Sequence, residues 1–221
     1  ILYHTATVCG SLHYFHPGLN GCKRTAHPFL PSRIPRRLTA TTDAEFNSVL
    51  DSMFSYAGPI PSRAGALPNL ADREKRNFDL TWFRAPIFNN TNASRLDSIY
   101  ANFRQDSNCY YSWNTNSNSG YIYTIRENLY ATVKTLKTEY KLLYFFRYWN
   151  MVNYYYPYKY AMDKPWDSTL LDFIPKCLSV TTDTSFHLFF AQLQSRLNDS
   201  HGFTSSSLFF YYFGSHCFPC N

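Results

Sequence analysis

Charge is scarce in this chain: Asp, Glu, Lys and Arg make up 16% of its 221 residues, with 21 basic against 15 acidic side chains for a net +6. So sparse a charge excludes an acidic or basic disordered tail. The basic residues are also scattered, with Arg33, Arg36 and Arg37 the tightest group, whereas a nucleic-acid reader gathers them into a stripe. No nucleic-acid partner is expected. A membrane-spanning run is missing too. The longest uncharged stretch, Gly202 to Asn221, is broken by Thr204, Ser205, Ser206, Ser207, Gly214 and Pro219, which would leave polar groups stranded in hydrocarbon. No Gly-x-Ser-x-Gly elbow occurs to present a serine nucleophile. The six cysteines, at positions 9, 22, 109, 177, 217 and 220, match neither a compact disulfide framework nor a complete zinc site.

Aromatic residues are what the chain has in abundance: 4 Trp, 19 Tyr and 19 Phe, or 19% of its length. Each can bury about 150–250 Å², an upper bound of roughly 4–6 kcal/mol apiece, so a densely packed core is within reach. Of the cysteines only the cluster His216-Cys217-Phe218-Pro219-Cys220 resembles a metal-binding arrangement. Its three soft ligands, His216, Cys217 and Cys220, are one short of tetrahedral zinc, so reduced cysteines near a chain end is the preferred reading, and no cofactor is expected. The chain begins at Ile1 and its first thirty residues lack a basic head, apolar run and cleavage site in series, so a processed start or a fragment is expected. Asn89-Asn90-Thr91, Asn92-Ala93-Ser94 and Asn198-Asp199-Ser200 fit a glycosylation triplet too short to carry weight.

Self-similarity organises the sequence. At an offset of 140 residues, without gaps, Leu30, Ile34, Pro35, Leu38, Thr41, Thr42, Asp43 and Phe46 recur as Leu170, Ile174, Pro175, Leu178, Thr181, Thr182, Asp183 and Phe186. In the same register His13-Tyr14-Phe15-His16-Pro17 answers Asn153-Tyr154-Tyr155-Tyr156-Pro157. Two copies of one three-helix unit are therefore expected. In the second copy Leu142, Leu143, Phe145, Phe146, Trp149, Val152 and Tyr156 fall at helical spacing, with Lys141, Arg147, Asn150 and Asn153 on the other face. Pro157 should end that helix near Tyr155 or Tyr156. Asp163 to Trp166 opens a second, with Pro165 in its first turn and Trp166, Leu170, Leu171, Phe173 and Ile174 facing inward. Thr182 or Asp183 caps a third, carrying Phe186, Phe189, Phe190, Leu193 and Leu197. In the first copy Thr42-Asp43-Ala44-Glu45 has the complete capping-box pattern.

Between the copies, residues 57–70 hold Gly58, Pro59, Pro61, Gly65 and Pro68, too many breakers for a helix interior. A short helix and a docking turn around Trp82 are expected within 72–88. A weak helix is expected over Ser94 to Arg104, with Leu96, Ile99, Tyr100 and Phe103 on one face. Asp106 to Gly120 reads as a polar loop and Tyr121 to Tyr123 as a short extended piece. The predicted fold is thus mainly α: a first helical unit over 1–57, a connector over 58–137, a second helical unit over 138–202, and a strand-like, sticky junction over 203–221.

Certain residues go beyond a generic helical pattern. Leu142 to Asn150, with Trp149, then Tyr154-Tyr155-Tyr156-Pro157-Tyr158-Lys159, Trp166, Phe173-Ile174-Pro175-Lys176 and Leu197-Asn198-Asp199-Ser200-His201-Gly202 resemble the helical region preceding the PDZ and catalytic domains of C-terminal processing, tricorn-like serine peptidases of the Bacteroidetes type. The likeness covers about a third of the chain strongly and Val8 to Phe54 moderately. It implies an extracytoplasmic location, downstream PDZ and peptidase domains in the same polypeptide as partners, and a peptide or protein substrate. It also implies structural roles for Trp149, Asn150, Tyr156, Pro157, Tyr158, Trp166, Ile174, Pro175, Asp199 and His201. Cys9 and Ala26 depart from the pattern where the second copy has Trp149 and Trp166, so a looser first unit, or one packed by its neighbours, is expected.

The family's serine nucleophile and lysine base belong to a domain outside these residues, so no catalytic residue carries over. Ser200 and His201, adjacent in sequence, do not aim at each other as nucleophile and base must. Asp199 and His201 read as a structural element, and Tyr154 to Tyr158 as core packing more readily than as a peptide-binding surface. The rival reading is a free-standing helical-repeat module that grips a partner in an aromatic groove between the copies.

Overall fold

The structure, a computed structural model, describes residues 1–20, 38–62, 79–103, 109–114, 121–124 and 136–199, together with single positions between and after them. The fold is mainly helical. The helices are α1 (Leu2–Phe15), α2 (Pro17–Asn20), α3 (Asp43–Ala57), α4 (Asn90–Ala101), α5 (Thr138–Tyr155), α6 (Trp166–Ser179) and α7 (Asp183–Gln194). A two-stranded antiparallel ladder, β1 (Tyr111–Asn114) with β2 (Tyr121–Thr124), pairs Tyr111 with Thr124 and Asn114 with Tyr121. Both strands were expected to lie in or beside a polar loop, and only β2 was expected to be extended. The correction is that β1, within the expected loop, is also extended and pairs with β2.

Helix α1 lies at the centre and packs against α2, α4, α5 and α6. Every residue from Thr5 to Phe15 is buried, so α1 has no solvent face to keep polar. Its hydroxyls are satisfied inside the helix: Thr5 Oγ1 donates to the Ile1 carbonyl at 3.0 Å, Thr7 Oγ1 to that of His4 at 3.0 Å and Ser11 Oγ to that of Thr7 at 3.0 Å. Of the two expectations for the first unit, packing by its neighbours is what is found around Cys9, which is buried on a helix packed against α2, α4, α5 and α6.

The expected helix ends recur. α5 stops at Tyr155, immediately before Tyr156-Pro157. The capping box at Thr42 is complete: Thr42 Oγ1 accepts from the Glu45 amide at 3.2 Å, while Glu45 Oε2 accepts from the Thr41 and Thr42 amides at 2.8 and 3.2 Å. Those amides hold the exposed Glu45 carboxyl below its ordinary pKa. At the start of α7 the same box is built by Thr182 with Ser185 in the glutamate's place. Replacing Thr42 with alanine is expected to cost about 1 kcal/mol, read from the urea midpoint.

Some faces differ from the periodicity. Pro165 is the N-cap of α6 rather than a first-turn residue. On α6 Trp166, Leu170 and Phe173 point inward as expected, but Leu171 is 58% exposed and Ile174 half-buried, with Thr169 and Cys177 taking the inner positions. Pro175 lies within α6 and has no amide to offer the Leu171 carbonyl one turn back; both residues are on the exposed side, where water can serve that carbonyl. On α5 the supposed polar face is half wrong: Asn150 is 1% and Lys141 5% exposed. Lys141 Nζ donates at 2.6 Å to the carbonyl of Val180, the C-cap of α6, where a cation meets the negative end of the helix. Burial pushes the neighbouring Cys177 thiol up to about 12. At pH 8 folded protein should therefore resist alkylation at Cys177, and mass spectrometry should find that label only after denaturant is added.

The described parts of the connector pack on the core. A 3₁₀ turn at Thr81–Arg84 buries Phe83, and α4 buries Leu96, Ile99 and Tyr100. α3 and α4 are joined by an amide network. Asn47 Nδ2 donates to the Asp43 and Ile87 carbonyls, both at 2.7 Å, and Asn47 Oδ1 accepts from the Asn89 amide and from Asn92 Nδ2, both at 3.0 Å. With those bonds made, two buried asparagines specify the register of the pair rather than destabilise it. Of the stretch 72–88 where a short helix was expected, residues 72–78 lie outside the described residues. In the tail, Ser207 and Tyr211 have helical backbone.

Candidate functional site

The residues that carry the sequence signal converge on the α1–α5–α6 centre. Trp149 and Trp166 are locked reciprocally: the Trp149 indole N–H donates to the Trp166 carbonyl at 3.1 Å and the Trp166 indole N–H to the Trp149 carbonyl at 3.0 Å. Each indole so meets the hydrogen-bonding need of a buried aromatic with a polar edge. Next to Trp149, Asn150 Nδ2 bridges the Ala6 and Phe146 carbonyls, both at 2.8 Å. Opposite it α1 has Gly10, where a Cβ would sit 2.0 Å from Asn150 Oδ1. Only glycine lets the helices approach this closely. Beside the crossing is a void of about 10 Å³ lined by Cys9, His13, Arg147 and Asn150 among others, room for one water molecule.

Below the crossing comes a layer of tyrosines. Ser11 Oγ lies 2.6 Å from the Tyr100 hydroxyl and 3.4 Å from that of Tyr154, and the two tyrosine hydroxyls are 3.2 Å apart. A serine ringed by hydroxyls invites a catalytic reading, but burial pushes both phenol pKa values up. Neither phenol can act as the base a serine nucleophile needs, and Ser11 itself donates to Thr7 within the helix. Tyr154, Tyr155 and Tyr156 pack against the core as expected of the tyrosine run, but Tyr158, 59% exposed, does not.

Tyr156 closes the second unit by donating from its hydroxyl to Asp199 Oδ2 at 3.3 Å. The structural role expected of Asp199 is thus met by a tyrosine, and Pro157 supplies the break between α5 and the turn at Lys159–Ala161. Lys159 Nζ donates to the Asn153 carbonyl at 2.9 Å and to Asn153 Oδ1 at 2.6 Å. Burial lowers the Lys159 pKa, opposed by the carboxylates of Asp167 and Asp79, and burial raises that of Asp167, opposed by Lys159. Asn153 and Lys159 were named from the sequence, but not their association with Asp167 and the distant Asp79.

A larger cavity of about 530 Å³ opens where α3 ends, lined by His16, Phe54, Ser55, Gly58, Pro59, Ile60 and Arg95. Its one cation is engaged: Arg95 Nη1 contacts Asp51 Oδ1 at 2.5 Å and Asn92 Oδ1 at 3.1 Å, and its guanidinium lies over the Phe54 ring. Among the described residues the lining offers apolar shelter and no unengaged cation to select a ligand.

At the amino-terminal end His4 presents its ring to Phe88 and Tyr3 edge-on, and burial pulls its pKa down from 6.5 to about 4. Between those two values the unfolded chain binds a proton that the folded chain refuses, so stability should fall as pH drops from about 6.5 to 4. At a half-buried site, with solvent screening allowed for, the loss is about 1–2 kcal/mol. Urea titrations across that range check it, and His4→Phe should flatten this part of the profile.

Cys109 is disulfide-bonded, which its spacing from the other cysteines did not reveal. His201, His216, Cys217 and Cys220 lie outside the described residues. Among the described residues no group of three His, Cys, Asp or Glu side chains could hold a metal ion, and no helix is long and apolar enough to cross a membrane. No protein-family model, curated protein or solved structure matches the chain.

Proposed function

We propose that these residues form a non-catalytic helical scaffold, the N-terminal part of a serine peptidase, which orients or gates a catalytic domain carried elsewhere in the same polypeptide. The observation that supports this reading is how the motif residues are used. Trp149, Asn150, Tyr156, Trp166 and Asp199 are all engaged in fastening one helix or turn to another, which suits a support and leaves no reacting group among them. Of the large apolar side chains exposed among the described residues, Tyr158, Tyr160, Leu171 and Leu178 lie on the second unit, with Leu38 on the first and Tyr211 in the tail, and they offer contact surface to a following domain. A disulfide at Cys109 suits an oxidising, extracytoplasmic compartment.

The reading frame beyond Asn221 tests the assignment: a PDZ-like segment and a Ser/Lys catalytic core should follow, and their absence overturns it. The chain by itself should remain unlabelled by a serine-reactive fluorophosphonate and should leave an unfolded protein substrate intact. Labelling of one specific serine would contradict the non-catalytic role.

A further inference from the structure

Helices α1 and α5 run side by side in the same direction, and the partners that meet across them keep a separation close to the 140-residue offset of the sequence repeat. Asn150 reaches back 144 residues to Ala6, and Tyr154 reaches back 143 to Ser11. Several contacts join a residue to its own counterpart. Gly10 faces Asn150, the Tyr14 ring meets the Tyr154 ring at 6.3 Å, and the two carbonyls held by Asn150 Nδ2 are those of the counterparts Ala6 and Phe146. Others come in exchanged pairs. Tyr14 meets Tyr155 edge-on at 5.5 Å, and Phe15 meets Tyr154 edge-on at 4.7 Å, the same contact with the partners' copies interchanged. Self-pairs and exchanged pairs are the signature of an isologous, two-fold interface, in which residue i touches j and j touches i.

Away from the seam the repeat continues in the backbone. Thr42 and Thr182 cap α3 and α7 with φ/ψ of −121/157° and −127/158°. Gly58 and Asn198, again counterparts, both have positive φ, 88° and 50°. Their ψ values differ, −168° and 40°, so the positive φ is what the two positions share.

We propose that the chain is a fused homodimer: two copies of one helical unit related by an internal two-fold axis along the α1–α5 seam, a surface that recognises a second copy of itself. This goes beyond the peptidase reading and does not depend on it. Fusion explains the asymmetry at the Gly10–Asn150 crossing. In a true dimer both chains would have to place the same residue at the crossing, and two asparagines would compete for one space. A single chain can put glycine on one side and a bridging asparagine on the other, which fixes register as buried asparagines do in parallel helix pairs.

The proposal makes the two sides of the crossing interchangeable. Four full-length proteins test it by thermal unfolding: the parent, Gly10→Asn, Asn150→Gly, and the double exchange. Gly10→Asn forces a second side chain into the space of Asn150, and Asn150→Gly removes both bridging bonds; each should lower Tm by about 5–10 °C. In the double variant an amide at position 10 meets the same two carbonyls from the other side, so Tm should return to within about 3 °C of the parent. A double variant as low as the two losses added together overturns the proposal. If Gly10→Asn does not fold, Gly10→Ala gives the milder comparison. Alanine at position 10 should lower Tm in the parent and be tolerated in an Asn150→Ala background; an equal loss in both backgrounds would contradict the two-fold crossing.

Discussion

Replacing Trp149 with alanine is expected to remove about 3–5 kcal/mol of stability, a large share of the roughly 5–15 kcal/mol that holds a domain together. Trp149 is the largest fully buried side chain among the described residues, with no exposed surface at all. Its loss empties a cavity where α5 meets α6 and removes the donor to the Trp166 carbonyl. The opposite bond survives, because the Trp166 indole donates to the backbone of position 149 rather than to its side chain. Trp149→Phe separates the two effects: it keeps most of the ring volume but removes the indole donor that ties α5 to the Trp166 carbonyl, for a loss of about 1–3 kcal/mol. Urea unfolding should show both midpoints shifted at constant slope.

Gly18→Ala is expected to cost about 1–3 kcal/mol, far more than the fraction of a kcal/mol usual for a surface change. A Cβ at position 18 would lie 2.2 Å from the Ala57 carbonyl oxygen and 3.3 Å from the His16 ring. A backbone oxygen at the end of α3 cannot swing aside as a side chain does. The local bond in which the Gly18 amide donates to His16 Nδ1 at 3.1 Å ties α2 to the same place. Relief would therefore come only by parting α2 from the end of α3. The counterpart position 140 residues on is Tyr158, whose ring is in solvent, and Tyr158→Ala should be near neutral by the same measurement. Equal costs at the two positions would contradict the close approach at Gly18.

What was legible in the sequence was local chemistry. Pro157 after a run of tyrosines marks the end of α5, and Thr-Asp-Ala-Glu marks the start of α3, because each acts through its own neighbouring backbone groups. Faces were harder to read, since a helix gripped from two directions shows no single stripe. Asn150 looked outward by periodicity because its apolar neighbours face α6, yet α1 covers its other side. Lys141 misled for a related reason: its partner is a helix terminus 39 residues away, which no spacing rule anticipates. Leu171, read as inward, lies opposite the buried Thr169 and Cys177. The hairpin was missed at β1, where the serines and asparagines around Tyr110 and Tyr111 suggested a loop. Tyr110 is held by stacking on His13, with centroids 3.9 Å apart, and the adjacent Cys109 amide donates to the Asn20 carbonyl at 2.6 Å. Those long-range contacts, rather than propensity, order that segment.

The direct test of this account is the contact between Gly10 and Asn150, from which the parallel packing of α1 on α5 follows. In nuclear magnetic resonance spectra of the native chain, the Gly10 α-protons should show strong through-space cross-peaks to the Asn150 side-chain amide protons, with weaker ones between the Tyr14 and Tyr154 rings. Gly10 cross-peaks confined to α1, or directed to the opposite end of α5, would contradict it.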